Sequence, residues 1–278
     1  MTLSPAEKRQ FEKDEKRLSE LGKRFPLAFA RLWDPLCLLC SGPMEHLERW
    51  LFRCGECDVT EPRTSQRLAI ELLMDPSVSR GFITGGNRTG KSEAAAQVGV
   101  AFALGRGSNQ VQIWAARNRI DVSHIQPGPG KVWAIALDSG DSRRYVRPKV
   151  AKYLPSGSRW RNREGPGEAE VHLPNGGIVQ FKNVDQGRDG FQGDAIHFAY
   201  FDEEPSPAVV SEVDFRLIDF DHRGGNEHLG LTKMLFPMTP LMGWTPLLRH
   251  NLRGDPTGRK VYLSLPWSFP VSPPRSSR

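Results

Sequence analysis

The stretch GFITGGNRTGKSEAAAQVGVAFAL, residues 81–104, decides the fold of this chain. It opens with the short apolar run GFIT, which predicts a buried strand. The next eight residues, GGNRTGKS, fit the pattern G-x-x-x-x-G-K-[ST] in full, and the alanine-rich run that follows predicts a buried helix. A glycine-rich loop between strand and helix gathers backbone N–H groups around one point, and the positive end of the helix adds to their effect. The stretch therefore predicts a phosphate-binding loop.

Within this loop, the lysine and the serine are expected to carry the chemistry. We expect Lys91 to reach the β- and γ-phosphates of a nucleoside triphosphate, and Ser92 to place its hydroxyl on Mg²⁺. A chance match in a glycine-rich loop is the alternative, and the flanking strand and helix argue against it. The other residues expected to surround the phosphates are Gly85, Gly86, Asn87, Arg88, Thr89 and Gly90.

A second apolar run, residues 196–201 (IHFAYF), ends in three acidic residues. Because ligands bind at the carboxyl ends of parallel strands, we expect these acids to lie beside the phosphate loop. Asp202 is the predicted anchor for Mg²⁺, directly or through its water shell, and Glu203 the predicted general base, with Glu204 as second candidate. A solvated turn is the alternative, which the phosphate loop makes less favourable.

Strand-like and helix-like runs alternate along the chain and predict an α/β fold, a P-loop NTPase whose largely parallel sheet is flanked by helices. A hairpin is expected around residues 174–176 (PNG). The guanine-reading pattern N-K-x-D is absent, since residues 182–185 read KNVD, so we expect ATP. We predict helices over residues 5–24, 62–74 and 93–104, and strands over residues 81–84, 111–115, 132–137, 170–173, 177–181, 196–201, 233–236 and 261–265.

Composition bounds the class of protein. The chain has 278 residues, 38% of them hydrophobic, which is enough for one large domain with small appendages. Its net charge of +6 favours a polyanionic partner, nucleic acid first. Neither a long apolar run nor a signal peptide is present, so we expect a cytosolic protein with no membrane contact. We predict a charged N-terminal helix (residues 1–30), a zinc-ribbon-like segment (31–60), an ATPase domain (61–265) and a Pro/Ser-rich tail or linker (266–278).

The four cysteines form two C-x-x-C pairs, Cys37 with Cys40 and Cys54 with Cys57. Two such pairs, 13 residues apart, predict a tetrahedral structural Zn²⁺ site of the ribbon type. A redox motif would need a single pair near a strand and a helix start. Three roles for the ribbon stay open, namely touching DNA, docking a partner and bracing the ATPase core.

Residues 143–163 hold eight basic residues and no acidic one, with Tyr145 and Trp160 among them. Such a stretch is typical of a surface that contacts the phosphate backbone of DNA without reading sequence. A solvated helix and loop is the alternative, and the sequence does not decide between them.

Several of these motifs together resemble the large terminase subunit of tailed bacteriophages, the ATPase that packages DNA. The loop GGNRTGKS and residues 187–205 (GRDGFQGDAIHFAYFDEEP) carry the most specific likeness. Gln66, about twenty residues before the loop, matches the family's adenine-contacting glutamine. Thr239, in residues 238–240 (MTP), matches the motif that couples hydrolysis to motion. The likeness spans roughly residues 60–265.

The resemblance implies ATP hydrolysis that drives double-stranded DNA into a procapsid, in the cytoplasm of an infected or lysogenic bacterial host. It implies a homo-oligomeric ring, a small terminase subunit and a portal protein as partners. It also implies an arginine finger, with Arg88 as the catalytic candidate in cis and Arg117 or Arg119 in trans. The family's large subunits carry a C-terminal nuclease domain, and too few residues follow Leu265 for one. We therefore expect no nuclease activity in this chain.

Two other functions are compatible with the sequence. One is a nucleotide-binding, DNA-binding or assembly module without turnover of its own; the other is a helicase-like or repair ATPase. The presence of Lys91, Asp202 and Glu203 favours hydrolysis over the first alternative. The short chain after Thr239 leaves little room for the further motifs of a helicase.

Overall fold

The computed structural model describes residues 5–34, 37, 39–48, 51–62, 65–86, 89–162, 169–223, 232–239 and 260–264. The helices are α1 (Pro5–Arg24), α2 (Pro26–Phe29), α3 (Gln66–Met74), α4 (Lys91–Leu104), α5 (Asn109–Asn118), α6 (Ser139–Asp141), α7 (Arg147–Ala151) and α8 (Pro207–Arg223). The strands are β1 (Met44–Glu48), β2 (Leu51–Cys54), β3 (Thr60–Pro62), β4 (Arg80–Thr84), β5 (Lys131–Ala136), β6 (Arg159–Asn162), β7 (Ala169–His172), β8 (Ile178–Asn183), β9 (Phe198–Phe201), β10 (Lys233–Met238) and β11 (Lys260–Ser264). Within the described ranges, every helix is too short or too polar to span a membrane.

The larger sheet has the strand order β11-β4-β10-β9-β5-β8-β7-β6. The pairs from β11 to β8 are all parallel, and β7 and β6 continue the sheet in antiparallel register. The predicted hairpin around residues 174–176 is confirmed as β7 and β8. The prediction of an α/β fold with a largely parallel sheet flanked by helices is therefore confirmed.

The central strands are buried on both faces, which explains why they read as continuous apolar runs. Phe198 and Tyr200 of β9 join a core with α4, whereas Ala199 and Phe201 join a second core with α8 on the other face. Helix α4 is buried almost all round, as its alanine-rich sequence predicts. Gly99 allows α4 to approach β9 closely, since a Cβ atom at this position would lie 3.3 Å from Cε1 of Tyr200.

Two predictions about secondary structure are wrong. Residues 111–115, predicted as a strand, lie within helix α5, because a short apolar run does not separate strand from helix. Their burial follows the helical spacing: Val111, Trp114 and Ala115 are buried, whereas Ile113 is 48% exposed. The helix predicted from residue 62 begins at Gln66 instead, since the Ser65 side chain caps it by accepting from Leu68 N–H.

The N-terminal strands β1, β2 and β3 form a separate three-stranded antiparallel sheet that carries the four cysteines. This small sheet packs on the larger α/β domain through Phe52 and Met44, which share a hydrophobic cluster with Leu68 and Leu72 of helix α3. The predicted charged helix over residues 5–24 matches α1. The predicted tail, residues 266–278, lies outside the described residues.

The buried carboxylate of Glu212 clamps α8 to the turn that leads into β9. Its side chain is 3% exposed, accepts from Arg216 one turn later, and accepts from Arg188 Nε at 2.9 Å. These hydrogen bonds, the one from Arg216 first, hold the pKa of Glu212 below its ordinary value of 4.5. Because a lowered carboxyl pKa adds stability only while the group is ionised, this contribution is present at neutral pH and is lost in acid.

We expect the substitution Glu212→Gln to lower the free energy of unfolding at pH 7 by about 1–3 kcal/mol, because it weakens a buried charged hydrogen-bond pair. The difference from the wild type should shrink as the pH falls below about 4.5. Urea unfolding of both proteins at several pH values measures this, with Glu20→Gln on the exposed face of α1 as control. A loss that stays constant down to pH 3 would contradict the assignment.

Candidate active site

The candidate site lies where four parallel strands end at the same edge of the sheet. Strand β4 leads into the glycine-rich loop, β9 leads into Asp202, and β10 lies between them and leads into Thr239. Strand β5, on the far side of β9, leads into α6 and α7. A cavity of about 720 Å³ opens between these strand ends and is lined by Thr89, Gly90, Lys91, Ser92, Asp202, Glu203 and Thr239, among others.

The loop holds Lys91 by its main chain. The Nζ atom of Lys91 donates to the carbonyl oxygens of Gly85 at 2.9 Å and Gly86 at 2.8 Å, and the residue is 6% exposed. Gly90 has φ +77°, a left-handed conformation in which glycine carries no steric penalty, and it starts helix α4. Burial lowers the pKa of Lys91, and the nearby carboxylates of Glu203 and Asp202 oppose this effect.

A second set of contacts holds the loop from behind. Gln66, 5% exposed at the start of α3, donates from Nε2 to the carbonyl oxygens of Gly90 at 2.7 Å and Thr89 at 3.3 Å. Its Oε1 accepts from the backbone N–H of Trp33 at 2.9 Å. The carboxamide thus ties the loop to the segment that joins the N-terminal sheet to the core. The role of Gln66 as reader of adenine stays a prediction.

The acidic residues lie at the mouth of the sheet, as the sequence predicts. Asp202 Oδ2 is 3.6 Å from Nζ of Lys149, and Oδ1 is buried without a hydrogen-bond partner in the described part of the chain. Burial raises the pKa of Glu203, as does the neighbouring Asp202, whereas Lys91 lowers it. A carboxyl group with a raised pKa is a stronger base once it is ionised.

The residues around Asp202 fit a magnesium ion. The hydroxyl of Ser92 and the carboxylate of Asp202 line the same cavity, and oxygen ligands are those that Mg²⁺ prefers. The unpartnered Oδ1 of Asp202 is an acceptor that a metal ion, or a water bound to one, would satisfy. Both predicted magnesium ligands are thus brought together, although they are 110 residues apart in the sequence.

Other predicted residues divide into three groups. Gly85 and Gly86 lie in the loop and accept from Lys91, whereas Asn87 and Arg88 lie outside the described residues. Arg117 and Arg119, at the end of α5, are not among the residues that line the cavity. The roles of Arg88 as an arginine finger in cis, and of Arg117 or Arg119 as an arginine finger in trans, therefore stay predictions.

Sequence reasoning missed several polar residues that line the cavity, among them Asp141 and Lys149. Both belong to a continuous helical segment made of α6, a π-helical turn (Ser142–Val146) and α7. The sequence placed Lys149 only in the basic stretch, residues 143–163, because no motif or spacing links this lysine to the phosphate loop. Only the sheet order brings it to the site.

The four cysteines form a compact cluster at the ends of the N-terminal strands. Their sulfur atoms all lie within 4.8 Å of one another, with separations of 3.3 Å for Cys37 and Cys57, and 3.4 Å for Cys40 and Cys54. A Zn²⁺ ion with four ligands at about 2.3 Å sets sulfur–sulfur distances of about 3.8 Å, so the cluster has the size of such a site.

The two C-x-x-C loops repeat one another in their backbone hydrogen bonds. Backbone N–H groups two and three residues ahead lower the pKa of Cys37, to about 6, and also that of Cys54. The second cysteine of each pair, Cys40 or Cys57, meets the N–H group two residues ahead, Gly42 or Val59. This repeated arrangement directs N–H dipoles at sulfur, which favours the thiolates that a metal requires. The neighbouring cysteine side chains oppose this effect and raise the pKa of Cys40 and of Cys57.

Fold and site together define a P-loop NTPase. Residues 82–213 match the family described as terminase large subunit, T4likevirus-type, N-terminal. This match confirms the resemblance to large terminase subunits that the sequence motifs indicate, and the matched part contains most of the phosphate-loop stretch and the acidic strand.

Solved structures of large terminases resemble the chain more distantly. The large terminase of a thermophilic bacteriophage, in complex with ADP, is 16% identical, with a TM-score of 0.46 over 73% of this chain and 45% of that chain. The large terminase of bacteriophage HK97 is 11% identical, with a TM-score of 0.43 over 84% of this chain and 42% of that chain. This chain therefore spans less than half the length of either structure. No protein of curated function matches it.

We expect Gln66→Ala to lower the melting temperature and to weaken nucleotide binding, because the carbonyl oxygens of Gly90 and Thr89 lose the side-chain donor from α3, although Gly90 keeps its bond from Ala94 N–H. The loss of such a hydrogen bond costs about 0.5–1.5 kcal/mol. Gln66→Glu should do at least as much harm, since a carboxylate would face two carbonyl oxygens. Thermal unfolding and titration with ATP and GTP measure both effects, with the exposed Gln112→Ala on α5 as control. If Gln66→Ala left both quantities unchanged, the bracing role would be wrong; loss of the preference for ATP over GTP alone would support adenine contact instead.

Proposed function

We propose that this chain hydrolyses ATP and uses the energy to move duplex DNA into a viral procapsid. One observation carries the proposal: Lys91, Ser92, Asp202 and Glu203 line a single cavity at the carboxyl ends of the strands. These four residues supply the cation, the two metal ligands and the base that phosphoryl transfer to water requires. The match to the terminase large subunit family supports DNA as the molecule that ATP hydrolysis moves.

Each side chain has a distinct part in this proposal. Lys91 neutralises charge on the β- and γ-phosphates from within the loop, where Gly85 and Gly86 position its ammonium. Ser92 and Asp202 would hold Mg²⁺, which supplies charge neutralisation on the phosphates when bound. Glu203 accepts the proton of the attacking water, a role that its raised pKa favours.

Thr239 has the position that a coupling residue needs. It follows β10, which pairs with β4 on one side and with β9 on the other. A change at the phosphate loop or at the acidic strand end therefore reaches Thr239 through directly paired strands. The resemblance to terminases assigns such a role to this residue, and its place in the cavity wall supports it.

The basic stretch offers a path from the nucleotide site to DNA. Glu93, in the first turn of α4, accepts from Lys152 at 2.8 Å and from Tyr153 at 2.7 Å, just after α7. Arg143 and Arg144 on the π-helical turn are exposed. We infer that these arginines contact the DNA backbone, and that a homo-oligomeric ring, a small terminase subunit and a portal protein complete the motor in the bacterial cytoplasm.

The substitution Glu203→Gln should lower the ATPase rate by about 10²–10⁴-fold, because it removes the base while it keeps the shape of the side chain. Linear duplex DNA should raise the rate of the wild type. Steady-state phosphate release with and without DNA measures both, and Glu204→Gln is the matched control. If the wild type binds ATP but releases no phosphate above the Glu203→Gln level, the chain is an assembly module without turnover. Strand separation of duplex DNA would instead favour the helicase-like alternative.

We also propose that the four cysteines hold one structural Zn²⁺ that braces the ATPase core. The site would have no open position, since each of its four places is taken by a thiolate, so it supplies stability and not chemistry. The contacts of Phe52 and Met44 with helix α3 connect the cluster to the helix that carries Gln66.

Purified protein should contain about one zinc ion per chain, and Cys57→Ser should reduce this content and lower the melting temperature, because a structural zinc site stabilises the fold. Metal analysis and thermal unfolding measure both, with Ser41→Ala beside the cluster as control. A wild-type protein without bound metal, whose stability a chelator leaves unchanged, would overturn the zinc assignment.

A further inference from the structure

Lys149 is a second lysine in the wall of the nucleotide cavity. It belongs to α7, and its Nζ atom lies 3.6 Å from Oδ2 of Asp202. Lys91 lines the same cavity from the phosphate loop. Because the loop follows β4 and α7 follows β5, with β10 and β9 between them, the two lysines approach the cavity from opposite walls.

The ion pair with Asp202 is a loose one. A charge-assisted hydrogen bond between an ammonium and a carboxylate has a length of about 2.7–2.9 Å, shorter than the 3.6 Å observed. The side chain of Lys149 is 28% exposed, so its ammonium faces the cavity and not a closed core. The contact therefore places the ammonium beside Asp202 without fixing it there.

The backbone that carries Lys149 is held firmly. Val150, the next residue, is 1% exposed in the main core. Just after α7, Lys152 and Tyr153 both donate to Glu93 at the start of α4. The backbone of Lys149 is thus fixed relative to the phosphate loop, whereas its ammonium group is able to contact a ligand within the cavity.

The chemistry of the neighbouring carboxylate indicates that partner. If Asp202 anchors Mg²⁺, the ion would neutralise the phosphates of the nucleotide, and the terminal phosphate would then be held near this carboxylate. An ammonium beside this carboxylate then meets the terminal phosphate from the side away from Lys91. We propose that Lys149 contacts the γ-phosphate of bound ATP and makes the site select the triphosphate over the diphosphate. This inference rests on the proposed ATPase function.

The test compares binding of a non-hydrolysable ATP analogue and of ADP, both with Mg²⁺, to wild type, Lys149→Met and Lys149→Arg by calorimetry. Lys149→Met should weaken the analogue by about 10- to 100-fold, the range for a hydrogen bond to a charged group, and change ADP binding little. Lys149→Arg keeps the positive charge and should restore part of the preference. Lys131→Met, which removes a lysine that pairs with Asp194 at the opposite end of β5, should leave the ratio of the two affinities unchanged.

Three results would overturn the assignment. Equal weakening of the analogue and of ADP by Lys149→Met would mean that the lysine only supports the fold of the site. Unchanged affinities for both nucleotides in Lys149→Met, beside a wild type that binds and hydrolyses ATP, would remove Lys149 from the site and leave the ATPase proposal intact. A wild type that binds neither nucleotide would overturn both.

Discussion

The buried ammonium of Lys91 is the constraint on which the rest of the site depends. A cation that is 6% exposed is costly unless acceptors and opposite charges surround it. The carbonyl oxygens of Gly85 and Gly86 supply the acceptors, and Asp202 and Glu203 supply the charge. The acids reach Lys91 because β9 runs parallel to β4, one strand away, so that both end at the same edge. The strand order of the sheet therefore sets the charge balance of the site, because it brings both acidic residues to Lys91.

Two braces keep the loop in place, one on each side. Behind it, Gln66 links the loop to Trp33, in the segment that leads into the cysteine cluster, so the N-terminal sheet and the larger α/β domain share one set of contacts. Of the three roles left open for the ribbon, bracing the core is the one that these contacts support. In front of it, Glu93 ties α4 to Lys152 and Tyr153, and so to the helical segment with the basic surface. The same segment brings Lys149 to Asp202, so one helical segment carries both a residue of the candidate site and the exposed basic residues Arg143 and Arg144.

Prediction from the sequence succeeded where a local pattern carries its own physical reason. The run from β4 through the loop into α4, the acids after β9 and the hairpin around residues 174–176 were all found this way. It failed for residues 111–115, whose apolar content suits a strand as well as a helix. It also failed for the start of α3, where the cap formed by Ser65 outweighs the proline at position 62.

The sequence by itself determined the phosphate loop, the acidic strand end and the pairing of the cysteines into two C-x-x-C loops, because each is a set of neighbouring residues with fixed spacing. Only the tertiary structure decided what faces the loop: Gln66 from α3 and Lys149 from α7. Neither residue stands in a motif with its partner. Their contacts arise from the order in which strands join the sheet, and that order depends on long-range pairing energies that no local stretch of sequence contains.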